Sequence, residues 1–163
     1  MSYIGEWTQS LQMKYSWKSF LEEDKDTDVG IVVCLNDEQQ FLILRRSDID
    51  EREGEWTIPG GHIDPEDNSI EAGAVRELFE EANLTCKIDD LTYLGVPKPK
   101  KYYFLTLKWS GDVNVDKPNP KTEEIEHDGY KWATIKDIKD IDDTNIPIYL
   151  LEKALEIQKE GEE

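Results

Sequence analysis

Glu77, Glu80 and Glu81 stand at i, i+3 and i+4 in the stretch IEAGAVRELFEEANL. If that stretch is helical, the three carboxylates leave it from one side. Like charges at this spacing repel, so the cluster weakens its own helix. A cation would relieve the repulsion, and an all-oxygen donor set suits a hard divalent ion such as Mg²⁺. Arg76 lies beside the cluster, four residues before Glu80, where charge-assisted hydrogen bonds can orient one carboxylate. Taken alone, an E-x-x-E-E cluster also suits a plain solvated helix face. Two neighbours argue for more. Gly60-Gly61 form a turn ahead of the stretch, and Gly73 sits inside it. A mid-helix Gly costs about 1 kcal/mol relative to Ala, so Gly73 points to close packing against another backbone.

The elements that must hold this cluster can be read on both sides of it. A helix is expected from Ser69 to Ala82, with Ala74, Val75, Leu78, Phe79 and Ala82 supplying apolar contact. Val29–Leu35 reads as a buried strand, Asn36-Asp37 as a turn and Phe41–Arg45 as the returning strand. Trp56–Ile58 leads into Pro59-Gly60-Gly61, expected to end any regular element. Leu84–Ile88, Leu91–Val96, Tyr102–Trp109 and Gly129–Ala133 read as further strands, with a long loop at 110–122. A short helix is expected at Ile135–Ile138. A C-terminal helix is expected over about 145–159, with Pro147 in its first turn. Strands before, around and after one central helix indicate a mixed α/β (α+β) domain with helices flanking a sheet. One domain is expected over 1–163, with an N-terminal arm at about 1–27.

The segment Arg76-Glu77-Leu78-Phe79-Glu80-Glu81-Ala82-Asn83-Leu84 resembles the end of the Nudix box, G-x5-E-x7-R-E-U-x-E-E-x-G-U, with U a bulky aliphatic residue. Trp56 and Pro59-Gly60-Gly61 are also similar to the family's pattern. Asn83 replaces the box's last Gly, and Asn is the next best residue for a left-handed position just past a helix. Gly61 to Arg76 spans 15 steps against 14 in the box, so the loop holds one extra residue. Counted forward from Gly61, the box's first Glu falls on Asp67; counted back from Arg76, it falls on Asn68. Asn68 is the expected N-cap, with Glu71 at N3. Downstream, Glu126-His127-Asp128-Gly129-Tyr130-Lys131-Trp132 resembles the E-H-x-x-Y-x-W segment of several Nudix subgroups. Core packing is the expectation for Tyr130 and Trp132, and His127 suits an exposed position equally well.

The resemblance implies a Nudix-type α/β/α sandwich with a mixed curved sheet. It also implies hydrolysis of a nucleoside diphosphate linked to another group, by water attack on phosphorus with two or three Mg²⁺ (or Mn²⁺) ions. On this reading Glu77, Glu80 and Glu81 are metal ligands, helped by a carbonyl at Gly61 or Gly60, and Arg76 orients Glu77. Glu126 leads as general base or added ligand, with Glu77 second, and Glu123 and Glu124 compete for the place of Glu126. Arg45 and Arg46 could meet phosphates. Tyr102, Tyr103 or Trp7 could stack on a base, and Lys98, Lys100 and Lys101 form a local basic patch. The favoured substrates are (deoxy)nucleoside triphosphates or dinucleoside polyphosphates. The rivals are a catalytically silent Nudix-fold module that binds nucleotide or protein, an isomerase on the same fold, and an unrelated domain with an acidic helix.

Charge sets the outer limits. The 163 residues carry 19 basic and 37 acidic side chains, a net −18. That balance argues against duplex nucleic acid and anionic membranes, both of which need a basic footprint. It would also repel a small anionic substrate, unless metal ions reverse the local field at the glutamates. The N-terminus lacks a signal-peptide pattern, no apolar run is long enough to span a bilayer, and Cys34 and Cys86 lack metal spacing. A cytoplasmic monomer or homodimer with reduced core thiols is the expectation.

Overall fold

The structure is a computed structural model that describes residues 27–48, 52–141 and 144–162. Residues 1–26 of the expected N-terminal arm, Trp7 among them, lie outside the described residues. Among the described residues there are seven strands and three α-helices: β1 (Val29–Cys34), β2 (Phe41–Arg46), β3 (Trp56–Thr57), β4 (Gly60–His62), α1 (Ile70–Ala82), β5 (Leu91–Lys98), β6 (Lys101–Thr106), β7 (His127–Ala133), α2 (Ile135–Lys139) and α3 (Ile148–Glu162). The strands form two sheets, ordered β4-β1-β6-β5 and β3-β2-β7. Strands β1 and β6 run parallel and every other pair is antiparallel, so the first sheet is mixed.

Strands β1 and β2 explain the layering. Both are continuous apolar runs, the signature of a strand covered on each face. Alternation sends Ile31, Val33, Phe41 and Ile43 into one core with Leu150, Leu151 and Ala154 of α3. Val32, Cys34, Leu42 and Leu44 go into the other, with Ala74, Leu78 and Ala82 of α1. Helix, sheets and helix thus stack as an α/β/α sandwich, as expected. Cys34 and Cys86 are free and buried, and burial pushes the Cys34 thiol pKa up strongly. Among the described residues no helix is long and apolar enough to cross a membrane.

Four expectations are corrected. Gly60-Gly61 do not end regular structure; they form β4, antiparallel to β1. A side chain at Gly60 would sit 2.6 Å from the Gly30 carbonyl oxygen, so only Gly lets these backbones approach. Leu84–Ile88 is not a strand. Leu84 and Cys86 are buried, but only Thr85 pairs, in a single bridge to Ser110, before a 3-10 turn at Ile88–Asp90. Phe79 is not core: it is 48% exposed. The C-terminal helix starts at Ile148, so Pro147 precedes its first turn rather than lying in it.

Candidate active site

Helix α1 is capped at its N-terminus by a side chain and at its C-terminus by the backbone of a left-handed residue. Ser69, not Asn68, is the N-cap, and its hydroxyl accepts from the Ala72 N–H at 3.0 Å. Ser69 takes the role because its own backbone is extended where the helix starts, as an N-cap requires. At the other end Asn83 is left-handed (φ 66°), and its N–H donates to the Phe79 carbonyl. Asn thus serves where the box has Gly. The apolar stripe Gly73, Ala74, Leu78, Ala82 is buried against β1 and β4. That packing sets the roll of the helix and turns Glu77, Glu80 and Glu81 toward one small cleft.

The cleft is lined by Glu77, Glu80, Glu81, Val115, Lys117, Asn119, Glu126 and His127. Its space, about 260 Å³ including the open mouth, suits ions and phosphate groups. Glu126 arrives from the lead-in to β7, and the Ser47 N–H donates to its backbone carbonyl at 2.8 Å. Next to it, β2 and β7 pair with a bulge between Arg45 and Arg46. Asp128 is the residue passed over in that register, and its carboxylate accepts from Arg45 Nε at 2.7 Å.

Arg76 organises the approach to the cleft. Its guanidinium forks onto Asp67, with Nε to Oδ1 at 3.1 Å and Nη2 to Oδ2 at 3.0 Å. Nη1 donates to Glu77 Oε1 and Glu80 Oε2, both at 3.0 Å, and Nη2 to the His62 carbonyl. Asp67 also accepts from the Asp64 N–H at 2.8 Å, closing the loop ahead of the helix. The one-residue insertion therefore leaves a carboxylate where the Arg needs one, and that residue is Asp67.

Burial and repulsion load the remaining charges. Burial, with Glu80 and Glu126 adding to it, pushes the Glu77 carboxyl up to about 7 against the pull of Arg76. Glu81 is also raised well above the ordinary carboxylate range, first by burial and then by Glu77, although it accepts from the Gly60 N–H at 3.1 Å. Asp67 moves the other way, held down by its hydrogen bond from Arg76. A Cβ at Gly61 would strike the Glu77 carboxylate, so Gly61 is the residue that lets β4 backbone and carboxylate meet. Carboxylate oxygens crowded beside exposed backbone, with more negative charge than Arg76 can balance, are a donor set that fits a hard divalent cation. Among the described residues no three of these groups yet converge as a finished coordination shell; Arg76 holds Glu77 and Glu80 toward itself.

The other sequence candidates are dispersed. Arg46 ion-pairs with Glu55 at 3.4 Å and contributes its positive charge at Glu81, which puts it on the cleft side. Arg45 lies over the Trp56 ring, 5.8 Å from its centroid, and does not line the cleft. Tyr102 is half-buried against the core under α1, and Tyr103 is in the core under α3. Lys98 and Lys101 pair in the β5–β6 hairpin, away from the cleft lining. Trp132 packs as expected, stacked on Trp109 at 5.4 Å. Tyr130 does not, being 46% exposed, and His127 is buried. Lys117 and Asn119 were not legible: they belong to an irregular loop whose Lys-Pro-Asn-Pro sequence reads only as turn-forming.

A cleft of carboxylates on a layered α/β scaffold is compatible with hydrolysis of phosphoric anhydrides. The NUDIX domain family model matches residues 24–153. The chain belongs to the Nudix family. It is 41% identical over 108 residues to a Bacillus subtilis (strain 168) protein provisionally named 8-oxo-dGTP diphosphatase, covering 66% of either chain. It is 33% identical over 109 residues to an asymmetrical bis(5'-nucleosyl)-tetraphosphatase of Caenorhabditis elegans, covering 60% of this chain and 70% of that one. The chain thus spans about two thirds of the length of these relatives. Among solved structures, a C. elegans Ap4A hydrolase binary complex superposes with a TM-score of 0.59 and 28% identity, over 82% of this chain and 99% of that one.

Proposed function

We propose that this Nudix hydrolase cleaves the P–O–P bridge of a nucleoside polyphosphate, either a (deoxy)nucleoside triphosphate or a dinucleoside polyphosphate. Water supplies the new P–O bond, its proton passes to a carboxylate, and the bridging oxygen leaves with the departing phosphate or nucleotide. The observation that carries this reading is the convergence of Glu126, from the β7 lead-in, on Glu77, Glu80 and Glu81 of α1. These four, with the Gly61 carbonyl, are the residues that would hold two or three Mg²⁺ or Mn²⁺ ions. Bound there, the ions supply charge neutralisation on the phosphate oxygens and acidify water. Glu126 is the leading proton acceptor and Glu77 the second. Arg76 holds Glu77 and Glu80 in place, and Lys117, which lines the cleft, and Arg46, whose charge reaches Glu81, are the cations situated to meet a phosphate. The names of the relatives, an 8-oxo-dGTP diphosphatase and a dinucleoside tetraphosphatase, support the two substrate classes.

The test is a nucleotide panel with Mg²⁺, products separated by chromatography. Cleavage of at least one nucleoside polyphosphate is expected, abolished by EDTA and restored by Mg²⁺ or Mn²⁺. Glu80→Gln and Glu81→Gln should each lower kcat by orders of magnitude in folded protein. Metal-independent turnover, or full activity in either variant, would refute the assignment.

A further inference from the structure

The loop between β6 and β7 is fastened to the C-terminal end of the catalytic helix and to the loop ahead of that helix. At the C-terminal end, Lys117 Nζ donates to the Phe79 carbonyl at 2.7 Å and lies 3.6 Å above the Phe79 ring. In the loop ahead of the helix, Lys121 Nζ meets Asp64 Oδ1 at 2.8 Å, beside the Arg76 network. Between these ties the chain makes a tight turn around Asn119. The backbone N–H of Asn119 donates to the Glu124 carbonyl at 2.8 Å, and that of Glu123 to the Asn119 carbonyl at 2.7 Å.

The Asn119 side chain is spoken for at both ends. Its Oδ1 accepts from the Lys121 and Thr122 N–H groups, at 2.8 and 3.2 Å. Two backbone donors on one atom fix which end of the amide is oxygen. The other end is therefore the NH₂, and it donates to Glu126 Oε2 at 3.1 Å. Both side chains line the glutamate cleft.

We propose that Asn119 is a positioning residue for Glu126, its amide fixing the carboxylate's entry into the cleft. The proposal rests on the role given to Glu126 above. Aspartate at this position would keep the turn, because a carboxylate oxygen accepts the same two N–H groups. It would replace the amide N–H donor of Asn119 with a negative oxygen facing Glu126. Asn119→Asp thus separates the positioning role from the turn-forming one, and Asn119→Ala removes both.

The experiment is steady-state kinetics of the full chain with Mg²⁺, on the nucleotide found in the panel, for N119D, E126Q and the N119D/E126Q double variant. N119D should lose on the order of 10- to 100-fold in kcat, the range for a hydrogen bond to a charged group. Its KM should stay within about twofold and its Tm near wild type. In the E126Q background the glutamine amide can donate to the carboxylate that N119D introduces, so the double variant should be no slower than E126Q alone. Wild-type kcat in N119D overturns the proposal. The same fold-loss from N119D in both backgrounds overturns it too, because Asn119 then acts elsewhere. Full activity of E126Q alone removes the role of Glu126, and the proposal with it, leaving the helix glutamates untouched.

Discussion

At the scale of single residues, the pair Asp67 and Asn68 shows what counting can and cannot do. The inserted residue puts both within one step of the first Glu of the Nudix box, and spacing has no means of choosing between them. Geometry chooses: Asp67 receives the Arg76 fork and is only about 10% exposed, while Arg76 carries on to Glu77 and Glu80. Removing Asp67 would free the guanidinium to collapse onto the catalytic carboxylates and compete with a cation for them. Asp67→Ala is therefore expected to cost about 2 kcal/mol of stability, the scale of a lost charge-assisted hydrogen bond. It should also raise the Mg²⁺ concentration needed for half-maximal activity. Asn68→Ala should leave both unchanged. Thermal melts and Mg²⁺ titrations of activity on the two variants give the check, and an equal effect of both substitutions would contradict the assignment.

Helix α1 shows why its glutamates were legible and its surroundings were not. A period of 3.6 residues is written into the sequence by the stripe Gly73, Ala74, Leu78, Ala82, and the acidic face follows from it. Strand β4 carries no such pattern, because its Gly60-Gly61 have no side chains to alternate; its pairing with β1 is a matter of close backbone approach. Leu84–Cys86 alternates like a strand yet buries its side chains from a loop. Asn119 and Lys117 act across the chain from an irregular segment, and no local period can reveal that. Gly73 is the exception among the glycines, since its cost inside a helix advertises a close contact, although the contact is with side chains and not with the backbone that was expected. That contact is specific: a Cβ there would meet Ile63 Cδ1 at 2.5 Å and Asp67 Oδ2 at 2.8 Å. Gly73→Ala should ordinarily stabilise a helix by about 1 kcal/mol. Here it is expected to lower Tm and kcat together, by driving Asp67 off Arg76. A rise in Tm with unchanged turnover would show that the loop yields freely.

Across the whole molecule, the net charge of −18 meets the cleft in its dependence on pH and metal. Glu77 and Glu81 are raised above the ordinary carboxylate range, chiefly by burial. A carboxyl raised in the folded state favours folding fully below its unfolded pKa of about 4.3. That contribution is lost as pH rises through the folded value, near 7 for Glu77, with Glu81 also raised well above the ordinary carboxylate range. Asp67 has the opposite sign: its lowered pKa stabilises above the ordinary aspartate range and is lost only on acidification. In EDTA, then, Tm should climb as pH falls from about 8 to 6, before the loss at Asp67 sets in at lower pH. Mg²⁺ favours the ionised carboxylates, so its stabilisation should be larger at about pH 8 than at about pH 6. At a hundredfold excess over Kd it amounts to about 2.7 kcal/mol. Surface acids that merely repel one another would give a similar slope in EDTA, and Glu81→Gln separates the two causes. If the cleft is responsible, that variant should melt above wild type at about pH 8 without metal, show a flatter pH profile and gain less from Mg²⁺. If the slope and the Mg²⁺ response survive the substitution, the general surface charge governs them and the buried glutamates do not.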